Sequence, residues 1–209
     1  MEEYLKRIAE SLERAFPLDP DSDFFEKADA FIWEPAQNQF SEVNDISTVD
    51  ISLLKGMDEE IDQVRLNTEA FIEGNLANNV LVWGARGMGK STLVKSVVKV
   101  ANSKSKSLKI IEVARDDIGQ IGQLLKLIKK INKKFIIFFD DISFDDNETN
   151  YKSLKSVLDG GLIGGMQNVL VYATSNRRHL LSRKTGGSDD FIRWEEDLDE
   201  RLSISDRFG

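Results

Sequence analysis

A chain of 209 residues with 41% hydrophobic content can fill one core, which excludes bulk disorder, and the lack of cysteine with a single histidine removes disulfide frameworks, thiolate metal sites and a protein-built zinc centre. With 36 acidic against 28 basic residues the net charge is −8, so the molecule as a whole repels nucleic acid and only a local basic patch could bind it. No apolar run approaches the roughly 20 residues of a membrane span, and MEEYLKRIAE is too acidic and amphipathic for a signal peptide, so a cytoplasmic chain with no membrane contact is expected.

Tyr4, Leu5, Ile8, Ala9, Leu12 and Phe16 recur at helical spacing until FPLDPDSD interrupts them, which predicts a short docking helix. Residues 24–50 contain FFEKADAFIWEPAQNQF, aromatic enough to demand burial but without a clean period of 2 or 3.6. An irregular arm packed on the main domain is the expectation, so residues 1–50 read as a helical and irregular extension and residues 51–209 as the core. From Met57 to Glu73, Ile61, Val64, Thr68, Phe71 and Ile72 share a helical face, and Gly74-Asn75 supplies the stop.

Short apolar runs follow at Val80–Trp83, Leu108–Val113, Phe135–Phe139 and Val169–Ala173, as suits strands buried on both faces of a parallel sheet. Helical patterns at Ser91–Ala101, Ile118–Ile131 and Tyr151–Leu158 alternate with them, which predicts an α/β fold with helices on both faces. RKTGGSDDFIRWEEDLDE is polar and charged and reads as a surface loop or insertion.

GARGMGKS, residues 84–91, satisfies G-x-x-x-x-G-K-[ST] between a strand and a helix. Glycines let successive backbone N–H groups turn inward as an anion nest, and the helix N-terminus adds partial positive charge. Gly84, Ala85, Arg86, Gly87, Met88, Gly89, Lys90, Ser91 and Thr92 are therefore the candidate phosphate cradle, with Lys90 reaching the β- and γ-phosphates and Ser91 holding magnesium. Magnesium is a hard cation that needs a carboxylate nearby, and FIIFFDD provides one at a strand end. Asp140 is the candidate metal-side carboxylate. Asp141 is the candidate that polarises the attacking water, with capping of the following turn as its alternative role. YATSNRRH brings Thr174, Ser175 and Asn176 to the same sheet edge; Asn176 is the candidate that orients water or phosphate, a turn asparagine being the alternative. His179 reads as a loop or helix-start residue. Arg207, in LSISDRFG, reads in a lone monomer as a surface charge.

Taken together, GARGMGKS, FIIFFDD, YATSN and SDRFG resemble the Walker A, Walker B, sensor 1 and arginine-finger elements of the AAA+ ATPase superfamily, in that superfamily's order over residues 50–209. NNVLVWGARGMGKSTLVKS, DDISFDD, LKSVLDGG and NVLVYATSNRRHL more closely resemble the DUF815 family of bacterial AAA+-type ATPases of unknown function. The resemblance implies a three-layer P-loop NTPase fold with a mostly parallel sheet, and ATP or ADP with Mg2+ as ligands. It also implies an adenine-side segment at LLKG that includes Gly56, and an Arg207 that reaches into a neighbouring copy, hence a homo-oligomer.

Two departures limit the transfer. Most AAA+ members carry Asp-Glu in Walker B where this chain has Asp140-Asp141, which makes binding more secure than fast hydrolysis. The chain also stops at Gly209, before the position where the resemblance implies a fifth strand and helical lid, so a fragment or a truncated family member is the expectation. In the AAA+ strand order the missing strand flanks the phosphate-loop strand. An exposed sheet edge is expected there unless the aromatic arm covers it.

ARDDIGQIGQ, residues 114–123, lacks the aromatic that protein-threading machines usually present in the loop after the second strand. Lys126, Lys129, Lys130, Lys133 and Lys134 form a basic cluster that reads first as a solvated face and second as a nucleic-acid contact. The leading expectation is a Mg-dependent ATPase that drives a conformational change in an unknown protein partner. Its alternatives are a nucleotide-gated module with little hydrolysis and a DNA-associated, helicase-loader-like ATPase. NKKF lacks the aspartate of a guanine-reading Asn-Lys-x-Asp, and no kinase acceptor site is recognisable.

Overall fold

The computed structural model describes residues 1, 3–8, 19–142, 148–158, 166–176 and 208, with the side chains of 148–151 left aside. A six-stranded sheet carries the fold: β1 (Ala30–Glu34), β2 (Gln39–Val43), β3 (Val80–Trp83), β4 (Leu108–Glu112), β5 (Lys134–Phe139) and β6 (Val169–Ser175), in the spatial order β2-β1-β4-β5-β6-β3. Every neighbouring pair is parallel except β1 with β2. The helices are α1 (Asp58–Ile72), α2 (Lys90–Ser105), α3 (Ile121–Ile128) and α4 (Glu148–Leu158).

Alternation along the strands builds two cores. Phe135, Ile137 and Phe139 of β5 face one way, with Ile121, Leu124, Leu125 and Ile128 of α3 and Leu154 of α4. Ile136 and Phe138 face the other way, onto Val64 and Phe71 of α1 and Leu93, Val94, Val97 and Val98 of α2. Strands enclosed on both faces need apolar side chains at every position, which is why the sequence shows runs rather than alternation. The result is the three-layer, mostly parallel α/β sandwich expected of a P-loop NTPase.

The helical pattern read over Ile118–Ile131 resolves into a 3-10 segment at Arg115–Gln120 followed by α3. At the N-terminus residues 3–8 are helical and Tyr4, Leu5 and Ile8 are exposed, while the continuation through Phe16 lies outside the described residues.

The stretch 24–50, read as irregular, contains a regular hairpin. Its loop holds Pro35, and Asn38 adopts φ 51°, with Gln37 N–H donating to Glu34 O and Asn38 N–H to Pro35 O. Proline presets the turn's first φ and asparagine tolerates the left-handed region, so EPAQNQ reverses the chain. Either side of the hairpin the chain is turns and isolated 3-10 segments. β1 pairs with the free side of β4, Phe31 opposite Ile111. Phe25 packs edge-on against Phe31 and Phe135 at 5.0 Å and Phe40 at 5.3 Å, and the fully buried Trp33 packs on Phe40 at 5.0 Å. Buried Lys109 on β4 donates to Ala28 O at 2.9 Å and Asp29 Oδ1 at 3.0 Å, which fastens the arm to the sheet.

The hairpin therefore closes the β4 edge. β3 remains at the other end of the sheet, with no strand on its outer side among the described residues, as the strand order anticipated. Among the described residues no helix is long and apolar enough to cross a membrane.

Candidate functional site

β3 runs into the glycine-rich loop, and the loop into α2. Gly84, Gly87 and Gly89 have φ of 156°, 83° and 89°. The values at Gly87 and Gly89 lie in the left-handed region, which a Cβ penalises, and at Gly89 a Cβ would also stand 3.2 Å from Leu54 Cδ2. Gly89 is the N-cap of α2, so the first free N–H groups of that helix face the loop.

Lys90 is buried despite its charge. Its ammonium donates to Gly84 O at 3.0 Å, Ala85 O at 2.9 Å and Asn176 Oδ1 at 3.0 Å. Ser91 Oγ donates to Asp140 Oδ1 at 2.5 Å. Asn176 Nδ2 donates to Asp141 Oδ1 at 2.5 Å, so the residue singled out at the end of β6 bridges the loop lysine and the second carboxylate. Asp141 adopts φ 52°, a conformation that few non-glycine residues tolerate, though aspartate does so more readily than most.

These groups line one cavity of about 370 Å3, bounded by Arg86, Gly87, Gly89, Lys90, Ser91, Thr92, Asp140, Asp141, Thr174 and Asn176. Three separate loops thus meet at the carboxyl ends of β3, β5 and β6, where open parallel sheets take ligands. Gly84, Ala85 and Met88 are not among the lining residues: the first two supply carbonyls to Lys90, and Met88 is half exposed with its sulfur beside Gly84. Gly56 has φ 74° and does not line the cavity; its neighbour Leu54 is what touches the loop. Arg207 and His179 lie outside the described residues.

A phosphate-bound magnesium suits this donor set. The ion keeps several waters and is held by one or two protein oxygens plus substrate phosphates rather than by an all-protein cage. One hydroxyl and one carboxylate already in contact, Ser91 and Asp140, at the mouth of a backbone N–H cradle match that requirement.

Residues 26–209 match the DUF815 family, described as a protein of unknown function. The chain belongs to the DUF815 family. No curated protein matches it. Among solved structures it is similar to the RuvB Holliday junction branch migration motor of Thermotoga maritima, at 20% identity and a TM-score of 0.47, covering 77% of this chain and 45% of that one. It is also similar to the ORC1 protein of Aeropyrum pernix in complex with DNA, at 15% identity and a TM-score of 0.48, covering 70% and 43%. AMPPCP-bound DnaA from Aquifex aeolicus is similar at 18% identity and a TM-score of 0.44, covering 68% and 45%. The DUF815 chain spans less than half the length of each of these structures.

Sequence reasoning named Thr174 as an edge residue but passed over its role. In the structure it is fully buried and bonded to both aspartates. The available signal was the run of consecutive polar residues that ends β6, whose first member lies one register step beyond the Phe139–Ala173 pair, beside Asp140. The basic cluster is also divided. Lys133 pairs with Glu26, and Lys134 donates to Gln167 O and lies over the Phe71 ring, leaving Lys126, Lys129 and Lys130 exposed.

Proposed function

We propose that this chain binds ATP with magnesium and hydrolyses it as a self-assembling, cytoplasmic ATPase, coupling turnover to a conformational change in a protein partner. The supporting observation is the Ser91 to Asp140 hydrogen bond across the mouth of the glycine cradle, because it joins the two oxygen donors a phosphate-bound magnesium needs. Residues 51–209 form the nucleotide core in this reading and residues 1–50 an extension whose hairpin completes the sheet.

Bound magnesium would neutralise charge on the phosphates and draw electrons from the transferred group. Lys90 would hold phosphate oxygens with the ammonium now shared by Gly84, Ala85 and Asn176. The loop N–H groups and the start of α2 would hold the remaining phosphate charge. Asp141 would accept the proton of the attacking water, and Asn176 would orient that carboxylate through the bond it already makes. Arg207 of one copy would stabilise phosphate charge in the next. A nucleic-acid role takes second place to a protein partner because the net charge is −8 and two of the five clustered lysines, Lys133 and Lys134, are engaged within the chain.

One observation favours a second reading, a nucleotide-gated module with little hydrolysis. Asp141 is shorter than glutamate and already engaged by Asn176.

ATP turnover per chain across a hundredfold range of protein concentration, with ATP binding followed in the same samples, tests both. The expected result is micromolar binding throughout and activity per chain that rises with concentration. Asp141→Asn should keep that binding and reduce turnover by about 100-fold, within the range of a lost general base. Tight binding with negligible turnover at every concentration selects the gated module, and absence of ATP binding removes both readings.

A further inference from the structure

Thr174 is the residue on which both carboxylates of the site converge. The register of β5 and β6 sets Phe139 opposite Ala173, so Asp140, just past the end of β5, stands beside Thr174, which is still in β6 and opposite Val82 of β3. Thr174 Oγ1 donates to Asp140 Oδ1 at 2.6 Å and accepts from the Asp141 N–H at 2.8 Å, while its carbonyl accepts from the Ile142 N–H at 2.8 Å. The side chain has no solvent exposure. A hydroxyl has one proton to donate, and here it goes to Asp140; its lone pair takes up the amide of Asp141.

The consequences for the two aspartates differ. Asp140 Oδ1 receives two hydroxyl donors, Ser91 from the phosphate loop and Thr174 from β6, which restricts rotation about its side-chain bonds. Asp140 Oδ2 receives no hydrogen bond among the described residues, so the oxygen left over is the one that can take a further ligand. Asp141 is held through its backbone instead. Its left-handed φ of 52° is unfavourable for an L-residue, and the bonds from its N–H and from that of Ile142 to Thr174 hold the turn in that conformation.

From this geometry we infer that Thr174 is a positioning residue that fixes the metal-side carboxylate and the water-side aspartate together, so that magnesium-dependent nucleotide binding and turnover both pass through its hydroxyl. The inference rests on the nucleotide-site reading given above. It assigns the coupling between the two acidic residues to a buried hydroxyl bonded to both. None of the hydrogen bonds of Lys90 in the loop is made to Thr174. Loss of the hydroxyl should therefore spare affinity for ATP without metal and remove the gain that metal brings.

The experiment is a titration of ATP in excess EDTA and in excess magnesium, with steady-state turnover, on the full chain and on Thr174→Val and Thr174→Ser. In EDTA the three proteins should agree within about twofold. With magnesium, Thr174→Val should lose at least tenfold in affinity enhancement and at least tenfold in kcat with KM in the metal-free range, and Thr174→Ser, which keeps the hydroxyl, should recover to within about threefold. If Thr174→Val does not fold, Thr174→Ala removes the same hydroxyl without placing a second methyl beside Asp140 and is read against the same limits. Equal metal enhancement and kcat in the hydroxyl-free variant and the full chain overturn the inference, as does failure of Thr174→Ser to recover when it folds like the full chain. A full chain that binds no ATP under either condition overturns the nucleotide-site reading and the inference with it. Normal ATP binding that is indifferent to Thr174 overturns the inference alone.

Discussion

On one side of the four central parallel strands the outward N–H of Ile110 on β4 donates to Asp29 O at 3.1 Å, and a hairpin continues the sheet; on the other, β3 ends it. Gly84 N–H donates to Ser175 O, so the two-residue repeat of a parallel ladder points the amides of Val80 and Val82 toward β6 and that of Leu81 away from it. The first edge carries an aromatic cluster and a buried lysine anchor, and none of its residues lines the cavity. The second edge leads straight into the glycine loop. Stability and ligand chemistry are thus assigned to opposite margins of one sheet, and each margin can be perturbed without the other.

The sharpest test of that separation removes an aromatic from the first edge. Phe25 contacts Phe31, Phe40 and Phe135 and has no exposed surface, so Phe25→Ala should cost about 3–5 kcal/mol by transfer and cavity terms. Urea denaturation should show this loss, and ATP affinity of the protein that remains folded should change by less than about twofold. A tenfold loss of affinity in the folded fraction would mean that the margins are mechanically coupled.

The reciprocal variant acts on the second edge. Lys90→Ala removes a cation that makes three hydrogen bonds inside the loop, and should lower ATP affinity by about 100-fold, roughly 2.7 kcal/mol. The urea midpoint without nucleotide should move far less than in Phe25→Ala, because the carbonyls of Gly84 and Ala85 that Lys90 leaves can reach water in the open cavity. Retained micromolar affinity would remove Lys90 from phosphate binding.

The margins also differed in how far they could be read from the residues. β3 to β6 were visible because a strand covered on both faces has apolar residues throughout, as in FIIFF. The cradle was visible because a loop that needs positive φ at Gly87 and Gly89 and a lysine after them has few alternative explanations. The hairpin was not visible. Phe31 and Trp33 face one core, Ala30 the other, and Ile32 is 43% exposed, so neither period appears. Its partner β4 lies far along the chain, and the pairing of Phe31 with Ile111 is a tertiary fact with no local signal. Thr174 escaped for a related reason: a polar run that ends a strand does not show which of its members meets a carboxylate until the β5 and β6 register sets Thr174 beside Asp140.

Amide exchange compares the margins without any substitution. The Ile110 N–H is bonded and covered by the arm, whereas the Leu81 N–H points from the outer side of β3. Leu81 should exchange about tenfold faster than Ile110 under native conditions, a difference of roughly 1.4 kcal/mol in opening free energy. Equal protection would show that β3 has a partner in solution.

The smallest effect tests the anchor of the hairpin itself. Burial pushes the Asp29 carboxyl up, but the hydrogen bond and charge of Lys109, with further help from Asn102 and Lys106, outweigh it and hold the group below its ordinary value. A carboxyl depressed in the folded state binds protons first in the unfolded chain, so its contribution is complete above the ordinary aspartate value, near pH 4, and fades as pH falls through the folded value. Because its side chain is 43% exposed, screening limits the contribution to below about 1 kcal/mol. Urea midpoints between pH 6 and pH 2 should therefore fall more steeply for the full chain than for Asp29→Asn, and the two curves should converge at the acid end. Parallel curves would assign the pairing with Lys109 to geometry alone and leave the aromatic cluster as what holds the hairpin to β4.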